Sequence, residues 1–248
     1  MSISPTTKVL LAFRSGNLCA FPGCTRTLAT ADEGSQPVVT GEAAHITGLR
    51  PGSARYDSSM TDGERNHYSN LIYVCGDHHT QIDKQVARFS IKSLREMKES
   101  HEKTVRRATI EALAGVGFPE LEEATQWIVH ITPVKTSYDF SLIPLEEKLA
   151  KNELNDESRQ IVTMGLAVAA DVQAFIECIA QTDHYFPERL KAGFLEEYFK
   201  WVRQGYKGDD LFDLMCVFAQ RGFTKQSQRS AGLAVLVCLF ESCEVFEK

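Results

Sequence analysis

The chain has 248 residues, of which 43% are hydrophobic and 24% are charged, and its formal net charge is −6. This composition excludes extensive disorder, and no run approaches the roughly 18 consecutive apolar residues of a membrane-spanning helix. The apolar stretch near the N-terminus is also too short for a secretion signal, so we predict a folded cytoplasmic protein with no membrane contact.

The negative charge is unevenly distributed along the chain. Residues 1–103 contain 12 Lys and Arg against 11 Asp and Glu, whereas residues 136–248 contain 12 against 18. An acidic surface repels nucleic acid. Any nucleic-acid surface is therefore expected in the N-terminal part.

The first hundred residues are divided into short segments by turn-forming residues. The segments QPVVTGEAAHI and NLIYVC predict strands, and FSIKSLREMKESHEKTVRRATIEALA predicts one or two helices that begin after Ser90. Segments this short bury little core of their own, so a metal ion is expected to support them.

The remaining sequence has a helical pattern. Residues 106–135 predict a linker with a short helix that begins at Pro119. Residues 136–248 show apolar positions at three- and four-residue steps. We therefore predict an N-terminal α+β domain over residues 1–105, the linker, and an all-α docking or interaction domain over residues 136–248. Four cysteines of this half are predicted to lie in its core: Cys178, Cys216, Cys238 and Cys243.

Three cysteines and a histidine of the N-terminal part have the spacing of zinc ligands. Cys19 and Cys24 form a C-x4-C pair around a Pro-Gly turn, and Cys75 with His78 forms a C-x2-H pair. Three thiolates and one imidazole are a normal tetrahedral set for structural Zn²⁺. The alternative is that the cysteines are simply buried thiols.

His79 directly follows His78, and neighbouring side chains point in different directions, so two adjacent histidines favour two separate sites. In a helix, His79 and Asp83 lie one turn apart on the same face and can hold one divalent ion. Taken alone, such a pair is also an ordinary feature of a helix surface.

The segments CAFPGC, GEAAHITGLRPGS and ERNHYSNLIYVCGDHHTQID together resemble the HNH nucleases, over roughly residues 10–103. The resemblance implies a ββα-metal fold in which His45 is the general base and Asn70 orients either that base or the loop between strand and helix. It further implies that His79 and Asp83 bind a catalytic Mg²⁺ or Mn²⁺. Many relatives carry a further metal ligand immediately before the base, where this chain has Ala44, so the ion would rely on the remaining ligands or on Glu42.

Five basic residues are predicted to contact phosphate, because arginine can bond two phosphate oxygens at once. As individuals they are equally compatible with solvated surface charges. They are Arg50, Arg55, Arg65, Lys84 and Arg88.

The stretch YDFSLIPLEEKLAKNELNDESRQIV resembles the start of the helical C-terminal domain of effectors in bacterial ABC-three-component antiphage systems. This resemblance implies two partners, an SMC-like ABC ATPase and a small middle component.

The sequence thus predicts a metal-dependent HNH endonuclease that hydrolyses DNA in bacterial antiviral defence. An oligomer is compatible with this function, because cutting both strands at once requires two nuclease domains. Two alternatives stay open. One is a non-catalytic zinc-stapled module that binds nucleic acid or protein, in which Ala44 marks a site that has lost its chemistry; the other is an RNA-acting, toxin-like nuclease whose helical domain senses a ligand. Taken alone, His45 is also compatible with a core histidine.

Overall fold

The computed structural model describes residues 2–30, 38–113, 116–126, 129, 143–221, 223, 225–242 and 245–246. Over these residues the protein is mostly helical, with two small two-stranded sheets. It divides into two compact units, Met1–Arg107 (unit 1) and Ala108–Lys248 (unit 2).

The elements of unit 1 follow one another in this order: α1 (Pro5–Arg14), β1 (Ala29–Thr30), β2 (Val38–Val39), β3 (Gly41–His45), α2 (Asp62–Arg65), a 3-10 turn (Tyr68–Asn70), β4 (Leu71–Cys75), α3 (Gly76–Lys84) and α4 (Ile91–Leu113). Helix α4 is continuous and supplies its last residues to unit 2. Its start agrees with the prediction, because the side chain of Ser90 accepts a hydrogen bond from the backbone N–H of Ser93 at 3.1 Å.

The sheet that matters for the candidate site pairs β3 with β4. The two strands are antiparallel, with Glu42 opposite Val74 and His45 opposite Leu71. Every residue of β4 is buried, and α3 begins directly after it and packs on both strands. The strand predicted over NLIYVC is thereby confirmed, whereas the strand predicted over QPVVTGEAAHI is divided into β2 and β3 of two different sheets, and its first two residues lie outside the described ones. Around this sheet lies the core of unit 1, which includes Leu11, Leu28, Ile46, Leu71, Ile72 and Ile82.

In the described part of unit 2, the end of α4 is followed by α5 (Phe118–Gln126), α6 (Leu145–Lys151), α7 (Asp156–Leu166), α8 (Ala169–Ala180), α9 (Phe186–Val202), α10 (Gly208–Ala219) and α11 (Gln226–Glu241). Helix α11 is central and packs against α5, α7, α8 and α10. Every residue from Ser230 to Phe240 is buried, as expected for a helix that is apolar on all sides.

Gly232 and Lys148 both contribute to the close packing around α11. A Cβ atom on Gly232 would lie 1.8 Å from the carbonyl oxygen of Ala219, so only glycine fits against α10. The buried ammonium of Lys148 donates to the carbonyl oxygens of Phe240 and Val245 at 2.6 and 2.8 Å. A cation is favourable there, because a helix exposes unpaired carbonyls at its C-terminal end.

Two sequence expectations differ from the observed organisation. The segment over residues 106–135 was expected to be a linker, but it contains the end of α4, and its short helix α5 packs on α8 and α11 within unit 2. Cys178 was expected in the core but is exposed, because the buried face of α8 is formed by Val172, Phe175 and Ile176. Cys216 and Cys238 are buried, and Cys243 lies outside the described residues.

Among the described residues, no single helix is both long and apolar enough to cross a bilayer. One pair, α7 and α8, bent by 55° where they meet, passes the same test of length and composition only when the two are counted together.

Candidate metal centre and candidate active site

Cys19, Cys24, Cys75 and His78 converge in unit 1. One donor atom from each lies within 4.8 Å of the others. His78 Nδ1 is 3.4 Å from Cys19 Sγ and 3.1 Å from Cys75 Sγ. Ligands bound tetrahedrally to Zn²⁺ at about 2.0–2.3 Å stand about 3.5–3.8 Å apart. The group could therefore hold a metal ion such as zinc.

The two halves of this cluster are brought together by backbone pairing. The loop that carries Cys19 and Cys24 is tied to the sheet by Ala20, whose N–H donates to the carbonyl of Tyr73 at 2.9 Å. Between the two cysteines, Gly23 turns the chain with a φ of 78°, a conformation that favours glycine. The C-x4-C spacing thus corresponds to a tight turn held against β4.

The other two donors come from the junction of β4 and α3. Cys75 ends the strand, and His78 lies in the first turn of the helix. The ring of Phe21 stacks on the His78 imidazole, with centroids 3.8 Å apart and planes 6° apart. This stacking fixes the imidazole so that Nδ1 faces the thiols.

The electrostatics of the cluster suit a bound cation. Burial raises the pKa of the Cys19 thiol to about 12, so this group stays protonated without added positive charge. Burial also acts to raise the pKa of Cys75, but hydrogen bonds from the His78 backbone, Cys19 and Arg26 outweigh it, and the pKa is lowered overall. A coordinated thiol loses its proton outright, so an ion would ionise both sulfurs.

His79 points away from the thiol cluster, toward two carboxylates. Its Nδ1 lies 2.5 Å from Oε2 of Glu42, and its Nε2 lies 3.4 Å from Oδ2 of Asp83. All three side chains are partly open to solvent. The adjacent histidines therefore belong to two different groups of side chains. Within the described ranges, only the three cysteines with His78 bring three or more donors to one point.

His45, the predicted general base, ends β3 and contacts a residue that sequence reasoning missed. Its Nε2 lies 3.1 Å from Oδ1 of Asn66. The Asn66 amide is itself oriented, because its Nδ2 donates to the carbonyl of Asp62 at 3.0 Å. Oδ1 can only accept, so His45 carries its proton on Nε2 and has the lone pair of Nδ1 free to act as a base.

Asn70 lies further inside the unit and holds the loop after β3. Its side chain is buried, accepts from the N–H of Thr47 at 2.9 Å, and donates to the carbonyls of Thr47 and Arg65, each at 2.9 Å. Two roles were predicted for Asn70. The observed bonds support the orientation of the loop, whereas the direct contact with the base is made by Asn66.

Arg55, predicted to contact phosphate, is instead an internal residue. Its side chain is 3% exposed. It donates to the carbonyls of Ile46 at 2.7 Å and Ile82 at 2.8 Å. Nη2 donates to both the carbonyl of His45 at 3.4 Å and Oδ1 of Asp83 at 3.0 Å. A guanidinium with this set of partners holds the fold together and does not face a substrate.

Arg65 requires the same correction. It is buried, donates to Oδ1 of Asp62 at 3.1 Å and to the carbonyl of Asp57 at 2.7 Å, and lies against the ring of Tyr56. By contrast, three of the predicted phosphate ligands are exposed. They are Arg50, Lys84 and Arg88.

Sequence reasoning missed Asn66 as a partner of His45, and it gave Glu42 no definite position. Asn66 lies in the polar run ERNH, where nothing in the pattern distinguishes it from its neighbours. For Glu42, strand alternation offered a signal, because it lies two residues before Ala44 and shares a face of β3 with it. No protein-family model matches this chain, and no curated protein matches it in sequence.

Proposed function

We propose that the chain is a metal-dependent endonuclease of the HNH type that hydrolyses phosphodiester bonds in DNA. In this proposal β3, β4 and α3 form the ββα-metal unit, and the three cysteines with His78 hold a structural zinc ion.

The observation that carries the proposal is the double contact of Arg55 Nη2. This atom bonds the backbone of His45 and the carboxylate of Asp83. The backbone of His45 at the end of β3 and the carboxylate of Asp83 on α3 therefore share one guanidinium, which supports a site that combines the proposed base with the proposed metal ligand. Phosphodiester hydrolysis requires such an arrangement, because a water molecule must be deprotonated next to the charge that develops on the phosphate.

His45 acts as the general base in this proposal. Nδ1 takes the proton from the attacking water, while Asn66 accepts the hydrogen bond from Nε2–H and so keeps the ring in the required tautomer and orientation. The positive charge that forms on the imidazole is stabilised by the amide oxygen of Asn66. Imidazole suits this role, because its ordinary pKa lies near neutral pH.

His79 Nε2 and Asp83 Oδ2 would hold the divalent ion. Their separation of 3.4 Å is close to the roughly 3 Å between neighbouring ligands of an octahedral Mg²⁺ or Mn²⁺. Such an ion, when bound, neutralises charge on the scissile phosphate and on the leaving oxygen. Ala44 is fully buried and offers no donor, so the protein supplies fewer ligands than in many relatives.

The test is cleavage of supercoiled plasmid by the full chain with Mg²⁺ or Mn²⁺. We expect His45→Ala to abolish cutting and the exposed residue variant His67→Ala to retain it, while zinc content stays unchanged in both. Equal cutting by His45→Ala would contradict the assignment of the base. An absence of cutting by the wild type, with firm DNA binding, would favour the zinc-stapled binding module, and cutting of RNA alone would favour the toxin-like nuclease.

We further propose that unit 2 docks on protein partners, namely an SMC-like ABC ATPase and a small middle component. The support is the acidity of residues 136–248, which disfavours DNA, together with the resemblance of residues 138–162 to antiphage effectors. Co-purification of the full chain with the two proteins tests this. Calorimetric binding of a nucleotide signal in their place would favour the ligand-sensing alternative.

A further inference from the structure

The imidazole of His79 lies between two carboxylates, one on each nitrogen. Glu42 Oε2 is 2.5 Å from Nδ1, and Asp83 Oδ2 is 3.4 Å from Nε2. The two carboxylates therefore contact different nitrogens of the ring. An ion bound by Nε2 and Asp83 would not contact Nδ1, the nitrogen that faces Glu42.

The contact with Glu42 determines where His79 carries its proton. An ionised carboxylate can only accept a hydrogen bond, so the short contact requires a proton on Nδ1. In the neutral imidazole, the lone pair of Nε2 is then available on the side of Asp83. Histidines that bind metals commonly donate their other N–H to a carboxylate, which fixes the tautomer and the ring orientation and makes the ligand more basic.

The backbone is arranged to let this contact form. Glu42 and Ala44 point to the same face of β3, and the Glu42 side chain reaches His79 on α3, the helix that packs on this strand. Gly76 opens α3 and leaves room for the carboxylate, because a Cβ atom there would lie 3.0 Å from Glu42 Oε1. The helix N-terminus also favours negative charge.

We propose that Glu42 is a positioning residue that holds His79 as the Nδ1–H tautomer and thereby presents Nε2, beside Asp83, to a divalent ion. This inference rests on the proposed function, since it describes the support of the same metal site. In this inference Glu42 acts by orienting His79 and does not itself bind the ion.

The first test is the affinity of the zinc-loaded full chain for Mn²⁺, measured by calorimetry. We expect Glu42→Ala to weaken Mn²⁺ binding by about 10- to 100-fold. Glu42→Gln is expected to lose less, because its amide oxygen still accepts from Nδ1–H, and Glu99→Gln, which changes an exposed glutamate on α4, should bind like the wild type. An unchanged affinity in Glu42→Ala would overturn the inference. So would equal losses in Glu42→Gln and Glu42→Ala, because that result would make Glu42 a direct ligand.

The second test reads the tautomer directly in the metal-free site. Long-range ¹H–¹⁵N spectra, recorded above the ordinary pKa of imidazole, should show His79 as Nδ1–H in the wild type and a change of tautomer in Glu42→Ala. An Nε2–H tautomer in the wild type would overturn the inference while leaving the role of His45 intact. If Mn²⁺ binding depends on Glu42 but no nucleic acid is cut, the proposed function fails and the inference stands. If the wild type binds no Mn²⁺, both fail.

Discussion

The guanidinium of Arg55 joins three segments of unit 1 that are distant in sequence. It bonds carbonyls at the end of β3, in α3 and at Phe89, and it forms an ion pair with Asp83. A lysine can occupy the same space but offers a single compact cation in place of a planar fork. The three segments are therefore expected to depend on arginine at this position.

Replacement of Arg55 by alanine is expected to destabilise unit 1 by about 3 kcal/mol, because several buried carbonyls lose their donor. Arg55→Lys should recover part of this loss. Arg88→Ala, which removes an exposed arginine, should change the free energy of unfolding by less than about 0.5 kcal/mol. Urea unfolding of the three variants measures the difference. Equal stability of Arg55→Ala and Arg88→Ala would show that the internal bonds contribute nothing.

Asn66 offers a prediction that separates orientation from folding. Asn66→Ala removes the acceptor for Nε2–H of His45, so the rate of plasmid cleavage should fall by about 10- to 100-fold as the ring loses its tautomer and position. Asn66→Asp keeps an acceptor at the same place and should retain more of the rate. Single-turnover cleavage under identical metal conditions measures both. A loss in Asn66→Asp as large as that in Asn66→Ala would contradict the proposed orientation.

The sequence could predict the metal-donor residues that lie close together along the chain, because their spacing is itself a signal. The pairs Cys19–Cys24 and Cys75–His78 lie together as predicted, because a turn and a helix start each bring two nearby donors to one side. It could not predict that Arg55 and Arg65 are internal. Burial of a charge is decided by carbonyls and carboxylates that come from distant segments, and these leave no local pattern.

Among the elements, the junction of β4 and α3 carries most of the candidate chemistry. It supplies two donors to the thiol cluster and, through His79 and Asp83, both ligands for the proposed divalent ion. The strand and the helix were predictable, because an apolar run followed by polar residues at helical spacing is a local signal. The register in which β4 pairs with β3 has no local signal in the sequence and is known only from the structure.

Removal of the metal ion from the thiol cluster is expected to unfold unit 1 and to leave unit 2 folded. A bound ion would join the loop with Cys19 and Cys24 to the start of α3 in addition to the contacts of Ala20 and Phe21. Metal binding at such sites contributes about 10 kcal/mol to folding. Both tryptophans, Trp127 and Trp201, belong to unit 2, so their fluorescence reports that unit alone. A strong chelator, or the variant Cys75→Ser, should abolish the tertiary structure of unit 1, while the tryptophan fluorescence of unit 2 stays that of the folded protein. Unchanged stability of unit 1 would contradict a structural role for the ion.

At the scale of the whole molecule, the two units differ in charge, and the difference predicts where DNA binds. Arg50, Lys84 and Arg88 are exposed in unit 1, whereas residues 136–248 carry 18 acidic residues against 12 basic ones. Each phosphate contact that is lost reduces the slope of log affinity against log salt by about 0.9. The variants Arg50→Ala, Lys84→Ala and Arg88→Ala are therefore expected to lower this slope, and the unit 2 variant Lys225→Ala should leave it unchanged. A larger effect of Lys225→Ala would assign DNA to the helical unit.

The central claim is that the adjacent histidines serve two different ions, one that supports the fold and one that acts in hydrolysis. The most direct measurement is plasmid cleavage by His79→Ala beside the wild type with Mn²⁺, together with the zinc content of each protein. The account predicts that His79→Ala keeps its zinc and its fold and loses cleavage. Cleavage at the wild-type rate, or loss of zinc together with activity, would contradict it.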